Sequence, residues 1–83
     1  MSRAEQLLEK LRGMGFASPY EAWKCVEHFE CPPGVDYGEA FNTLMDYIEV
    51  LTEQGLTPEE EWEQRYMEEL EAEKKRQKLP VPA

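Results

Sequence analysis

No run of apolar residues in this 83-residue chain approaches the roughly 20 that a membrane-spanning helix needs. The start, Met1-Ser2-Arg3-Ala4-Glu5, lacks the basic-then-apolar order of a signal peptide, so a cytoplasmic location is expected. Cysteine occurs only as Cys25 and Cys31, and without an export signal free thiols are the simpler expectation than a disulfide framework. Basic residues are nearly missing from the middle: between Glu21 and Glu63 every charged residue except Lys24 is acidic. With a net charge of −9, such a surface repels phosphate backbones and anionic lipid, which argues against direct nucleic-acid or membrane binding. Calcium-loop, glycine-rich phosphate-loop and hydrolase-elbow patterns are also missing.

What remains is enough for one modest core. Hydrophobic residues make up 41% of the chain, Trp23 and Trp62 among them, so wholesale disorder is not expected despite 33% charged residues. A unit this short buries a smaller share of its surface than a larger one, and a deep enclosed active site is not expected.

Four segments begin alike, with an oxygen-bearing residue followed three positions later by Glu: Ser2/Glu5, Ser18/Glu21, Asp36/Glu39 and Thr57/Glu60. Each reads as a capping box, in which the first side chain accepts a hydrogen bond from an orphan N–H of the opening turn. Pro19 and Pro58 follow two of these caps, where a missing N–H costs nothing. The spacing predicts a first helix over about 4–12 with Leu7, Leu8, Leu11 and Met14 on one face, ended by Gly13 and Gly15. A second runs from Pro19 to about Glu30, burying Ala22, Trp23, Val26 and Phe29, and stops before Cys31-Pro32-Pro33-Gly34. A third starts near Tyr37, with Phe41, Leu44, Met45, Ile48 and Leu51 as its buried stripe and Gly55 as its cap.

The fourth helix is a charged rod with a narrow stripe of Trp62, Tyr66, Met67 and Leu70. Acidic residues open it, Lys74, Lys75, Arg76 and Lys78 close it, and Glu61/Arg65 and Glu71/Lys75 are spaced to pair. The expected architecture is all-α: a three-helix bundle over 1–55, a charged helix over 56–78 and an extended tail over 79–83. The stripe Trp62, Tyr66, Leu70 either folds back on the bundle or pairs with a second copy.

Cys25, His28 and Cys31 are spaced three apart and suggest zinc, but a structural site wants four ligands and only a carboxylate such as Glu27 or Asp36 remains. The same pair of cysteine and histidine lacks an orienting third group and an oxyanion donor. The expectation is therefore no metal, no cofactor and no catalysis. Large apolar residues crowd the turn Met14-Gly15-Phe16: Phe16 packs back as a hydrophobic staple, or the turn meets a partner.

At this turn the sequence resembles the ubiquitin-associated (UBA) family, three-helix modules whose first loop commonly reads Met-Gly-Phe. Glu21-Ala22-Trp23-Lys24-Cys25-Val26 is similar to the family's second helix and Gly38-Glu39-Ala40-Phe41-Asn42-Thr43-Leu44-Met45 to its third, so the resemblance covers about 4–50. It implies a three-helix fold that binds ubiquitin or a ubiquitin-like protein through Met14, Gly15, Phe16 and Met45, with Leu44 mainly core. The alternative from charge alone is a small acidic adaptor or inhibitor, of bacterial or viral kind, that imitates nucleic acid and docks on a basic protein through Glu39, Asp46, Glu49 and Glu53.

Overall fold

A computed structural model describes residues 2–77. The described chain is all-α, four helices without a strand: α1 (Arg3–Gly13), α2 (Pro19–His28), α3 (Tyr37–Glu53) and α4 (Pro58–Gln77). None of them is long and apolar enough to cross a membrane. Lys78 and the expected tail over 79–83 lie outside the described residues.

Three of the four anticipated caps close. Ser2 Oγ accepts from the Glu5 N–H at 3.2 Å, Ser18 Oγ from the Glu21 N–H at 3.4 Å, and Asp36 Oδ1 from the Glu39 N–H at 3.3 Å. Thr57 makes no such bond among the described residues, although Pro58 still opens α4. The ends of α1 and α3 share one device. A glycine at positive φ follows each, Gly15 at 106° and Gly55 at 83°, and the next N–H returns to a carbonyl five residues back. Glycine, which has no Cβ, takes that conformation without steric crowding.

The first of these returns decides the fate of the Met-Gly-Phe turn. Phe16 N–H donates to the Leu11 carbonyl at 3.2 Å, and the chain folds back so that the Phe16 ring enters the core at 2% exposure. There it joins Leu11, Tyr20, Ala22, Trp23, Cys25, Val26, Ala40, Leu44 and Ile48. α1 and α2 both pack on α3.

Two stripe assignments need correction. Phe29, expected inside, is 77% exposed, because α2 ends at His28 and Phe29 takes the left-handed conformation that turns its side chain away from the helix face. Phe41 is 41% exposed, because the buried face of α3 is rotated toward Ala40, Thr43, Leu44, Tyr47 and Ile48. Small residues at 40 and 43 let α3 approach its neighbours closely, which leaves the bulkier Phe41 and Met45 at the margin. The Thr43 hydroxyl is buried there without a hydrogen-bond partner among the described residues.

α4 crosses α2 through an aromatic cluster. Trp23 meets Trp62 at 6.4 Å and Tyr66 at 5.8 Å between ring centroids, while Tyr66 stacks on His28 at 4.0 Å. Trp62 and Tyr66 are thereby half-buried against the core. A polar clasp sits beside them, in which the Tyr20 hydroxyl donates to Glu69 Oε2 at 2.9 Å and Arg65 Nε to Glu69 Oε1 at 3.2 Å. The guanidinium also lies over the Tyr20 ring at 4.2 Å. Arg65 thus turns toward Glu69 rather than the anticipated Glu61, and Glu71 and Lys75 form no ion pair among the described residues. Burial, then the hydrogen bond to the Glu69 carboxylate, push the Tyr20 phenol up to about 12, while the same bond holds Glu69 below the usual carboxylate range.

Candidate functional site

The turn residues named from sequence divide. Gly15 is exposed at φ 106°, Met14 is half-buried on the edge of the core, and Phe16 is interior. The correction is physical: a ring already surrounded by Leu11 and its neighbours has no free face for a partner, so any contact made by this turn falls to Met14 and the Gly15 backbone. On α3, Met45 is half-buried against the same core and Leu44 fully buried.

α3 carries a second feature. Glu39, Asp46, Glu49 and Glu53 recur at spacings of seven, three and four, which sets them in one stripe along the helix. All four are exposed, and none forms an ion pair among the described residues. No basic residue occurs in α3, and two of its carboxylates sit in its last turns, where the negative helix end disfavours them. Neighbouring like charges at Asp46/Glu49 and Glu49/Glu53 each cost about 0.2–0.5 kcal/mol on an isolated helix. Glu39, in the first turn, is favoured by the positive helix end, whereas Asp46, Glu49 and Glu53 do nothing for the stability of α3. Helical spacing sets Met45 between this stripe and Phe41 on the helix surface.

A third feature was hidden in the sequence. Phe29, Tyr37 and Phe41 form a row of exposed rings, with Phe29 stacked on Tyr37 at 5.7 Å and Tyr37 on Phe41 at 6.4 Å. The middle ring is anchored, since the Tyr37 hydroxyl donates to the Val26 carbonyl at 2.7 Å near the end of α2. Helical spacing puts Phe29 and Phe41 on apolar stripes, because spacing alone cannot tell the centre of an apolar face from its margin.

Cys25 and Cys31 are joined in a disulfide, which corrects the expectation of free thiols. The left-handed turn at Phe29 reverses the chain immediately after α2, so that Cys31 comes back to within 4.3 Å, Cα to Cα, of Cys25. Both sulfurs are thereby committed to one another, and His28 stacks on Tyr66, so the three residues do not form a ligand set. Among the described residues no group of three or more His, Cys, Asp or Glu is arranged to hold a metal ion.

The α4 stripe splits as well: Trp62 and Tyr66 face α2 within the chain, while Leu70 and Met67 remain open at 36% and 59% exposure. Burial against its neighbours, and then the Glu30 carboxylate, push the Tyr66 phenol above its ordinary value. Two of the hollows on the described surface lie near these elements. One of about 210 Å³ lies at the α3–α4 junction, lined by Thr52, Leu56, Thr57, Pro58, Glu59 and Glu60, and one of about 90 Å³ lies beside Leu8, Leu11 and Phe16. Both are smaller than the roughly 300–1,000 Å³ usual for small-molecule sites. Comparison with family models, with curated proteins and with solved structures finds no match for the chain, so this four-helix arrangement is assigned to no family by similarity.

Proposed function

We propose that this protein is a non-enzymatic protein-interaction module that docks α3 on a basic surface of a partner. One observation carries the proposal: Glu39, Asp46, Glu49 and Glu53 line one exposed stripe of a helix that has no cation of its own and gains no stability from the last three of them. Charges arranged at a cost to the free protein find compensation when a complementary surface arrives, and they steer that surface into contact beforehand. Met45, at the border of the stripe, supplies an adaptable apolar contact of the kind that suits reversible recognition. An adaptor and an inhibitor that imitates nucleic-acid charge are both forms of this activity.

The test compares the full chain with the variant Glu39→Gln, Asp46→Asn, Glu49→Gln, Glu53→Gln as bait in an extract of the native host. Proteins held by the wild type should be basic, should elute as salt rises, and should be missing from the variant. The same proteins on both baits, indifferent to salt, would end the proposal.

A ubiquitin-like partner is the second reading, supported by the resemblance over 4–50 and by the exposed Gly15 backbone beside half-buried Met14. Such a protein should shift the amide signals of Gly15 and Met45. An unchanged spectrum at millimolar ubiquitin would eliminate ubiquitin itself as the partner.

A further inference from the structure

The three helix ends α1, α2 and α3 reverse the chain with a residue at positive φ, and two of them use glycine. The exception is Phe29, the one non-glycine residue at positive φ among the described residues, held at 57° with its ring 77% exposed. An aromatic residue is disfavoured in that conformation, and a ring so exposed gains little from burial. Its place is nevertheless secured from both sides: the disulfide closes the loop around it, and Tyr37, tied to Val26, stacks against it. Phe41 extends the row along α3, so three rings stand nearly parallel, inclined to one another by 16° and 28°.

Cation–aromatic pairing is already used elsewhere in this chain. Arg65 and Lys24 both lie over Tyr20, at 4.2 and 4.9 Å. No cation lies over Phe29, Tyr37 or Phe41 among the described residues, and the charged residues next to them in sequence, Glu30, Asp36 and Glu39, are acidic and exposed. The basic residue of α2, Lys24, is committed to Glu21 at 3.4 Å. A row of π-faces flanked by carboxylates that form no ion pair among the described residues suits a planar cation, which stacks on the ring while its N–H groups reach the carboxylates.

We propose that Phe29, Tyr37 and Phe41 form a docking row for arginine side chains presented by a segment of the basic partner, which rests on the proposal above that the partner is basic. Arginine is favoured over lysine here because guanidinium stacks on an aromatic face and is more weakly hydrated than ammonium. The row determines which cation is accepted, while the α3 stripe supplies attraction for any cation.

The experiment measures binding of the full, oxidised chain to fluorescein-labelled ten-residue peptides of alternating Arg-Gly, Lys-Gly and Gln-Gly by anisotropy at fixed salt. The wild type should prefer the Arg-Gly peptide to Lys-Gly by about threefold or more and ignore Gln-Gly. The pair Phe29→Gly, Phe41→Ala should lose that preference and weaken Arg-Gly binding by about tenfold, with helical circular dichroism unchanged. Should the pair unfold, Phe29→Gly alone carries the test. Neutralising Asp46, Glu49 and Glu53 of the stripe should weaken both cationic peptides alike and leave the preference intact. An equal affinity for both cationic peptides in the wild type would overturn the proposal, as would a preference that survives loss of the rings. Binding lost with the stripe but untouched by the rings would sink the arginine row alone, whereas binding indifferent to both would sink the basic-partner proposal with it. Self-association of the wild type that disappears with Phe29→Gly would give the row to a second copy and so refute an arginine-bearing partner.

Discussion

Replacing Phe29 by glycine should leave the protein about as stable as before, whereas shortening Phe16 to alanine should come close to unfolding it. At position 29 the terms oppose one another. Releasing a non-glycine side chain from the left-handed conformation gains about 1–2 kcal/mol. Against this stand the stacking on Tyr37, about 0.5–1.5 kcal/mol, and roughly 0.5 kcal/mol for the small part of a ring that is covered at 77% exposure. The net change should fall within about 1 kcal/mol of zero. Phe29→Ala keeps the strain and loses the ring, so it should be about 1 kcal/mol less stable than Phe29→Gly. At position 16 nothing opposes the loss: the ring is 2% exposed, and emptying such a site costs about 3–5 kcal/mol. Urea unfolding followed by tryptophan fluorescence measures all three variants, because Trp23 is buried in the core and Trp62 half-buried against it. A cost above about 2 kcal/mol for Phe29→Gly would show that the exposed ring holds the fold together, and the case for an interaction role would fail.

Neutralising Asp46, Glu49 and Glu53 together should raise the thermal midpoint of the free protein, by the equivalent of about 1 kcal/mol, since it removes like-charge neighbours and an unfavourable helix end. A lower midpoint would mean that the stripe is structural. Thr43→Val should be neutral or stabilising by up to about 1 kcal/mol, because it removes a buried hydroxyl that has no partner among the described residues; a clear loss in calorimetry would reveal a bond that the hydroxyl makes. Reducing the Cys25–Cys31 bridge, a loop with a sequence separation of six, should lower stability by about 2 kcal/mol in urea titrations with and without reductant, and identical curves would refute this. Tyr20, whose folded-state phenol is raised from 10.0 to about 12, keeps its full contribution below pH 10 and loses it as pH climbs through 12. After allowance for solvent at the exposed Glu69, that contribution is about 1–2 kcal/mol. Alkaline unfolding curves of the wild type and Tyr20→Phe should therefore converge across this range, and parallel curves would contradict the assigned cause.

The parts of this fold that were legible in the sequence are those set by neighbouring residues. Ser2, Ser18 and Asp36 announce three helix starts because a cap needs only a side-chain oxygen and the N–H groups of the turn that follows. Gly15 and Gly55 announce two reversals for a similar reason. The third reversal, at Phe29, carries no such signature, and everything that depends on it was hidden: the disulfide, the outward ring and the start of the aromatic row. Phe41 was misplaced because the orientation of α3 depends on how closely Ala40 and Thr43 let it approach its neighbours, a tertiary matter. The docking of Trp62 and Tyr66 likewise required knowing that Trp23 and His28 stand ready on α2. Among the candidate contact residues, Glu39, Asp46, Glu49, Glu53 and Gly15 are exposed, Met14 and Met45 are half-buried and Phe16 is buried.

The most direct measurement is an amide shift map of the full nitrogen-15-labelled chain titrated with the Arg-Gly peptide at two salt concentrations. Shifts concentrated at Glu39, Phe41, Met45, Asp46, Glu49 and Glu53, together with Phe29, and shrinking at the higher salt, are the predicted result. A map in which α3 stays silent while another helix responds, or in which no signal moves at millimolar peptide, would contradict the assignment of α3 as the face that meets a basic partner.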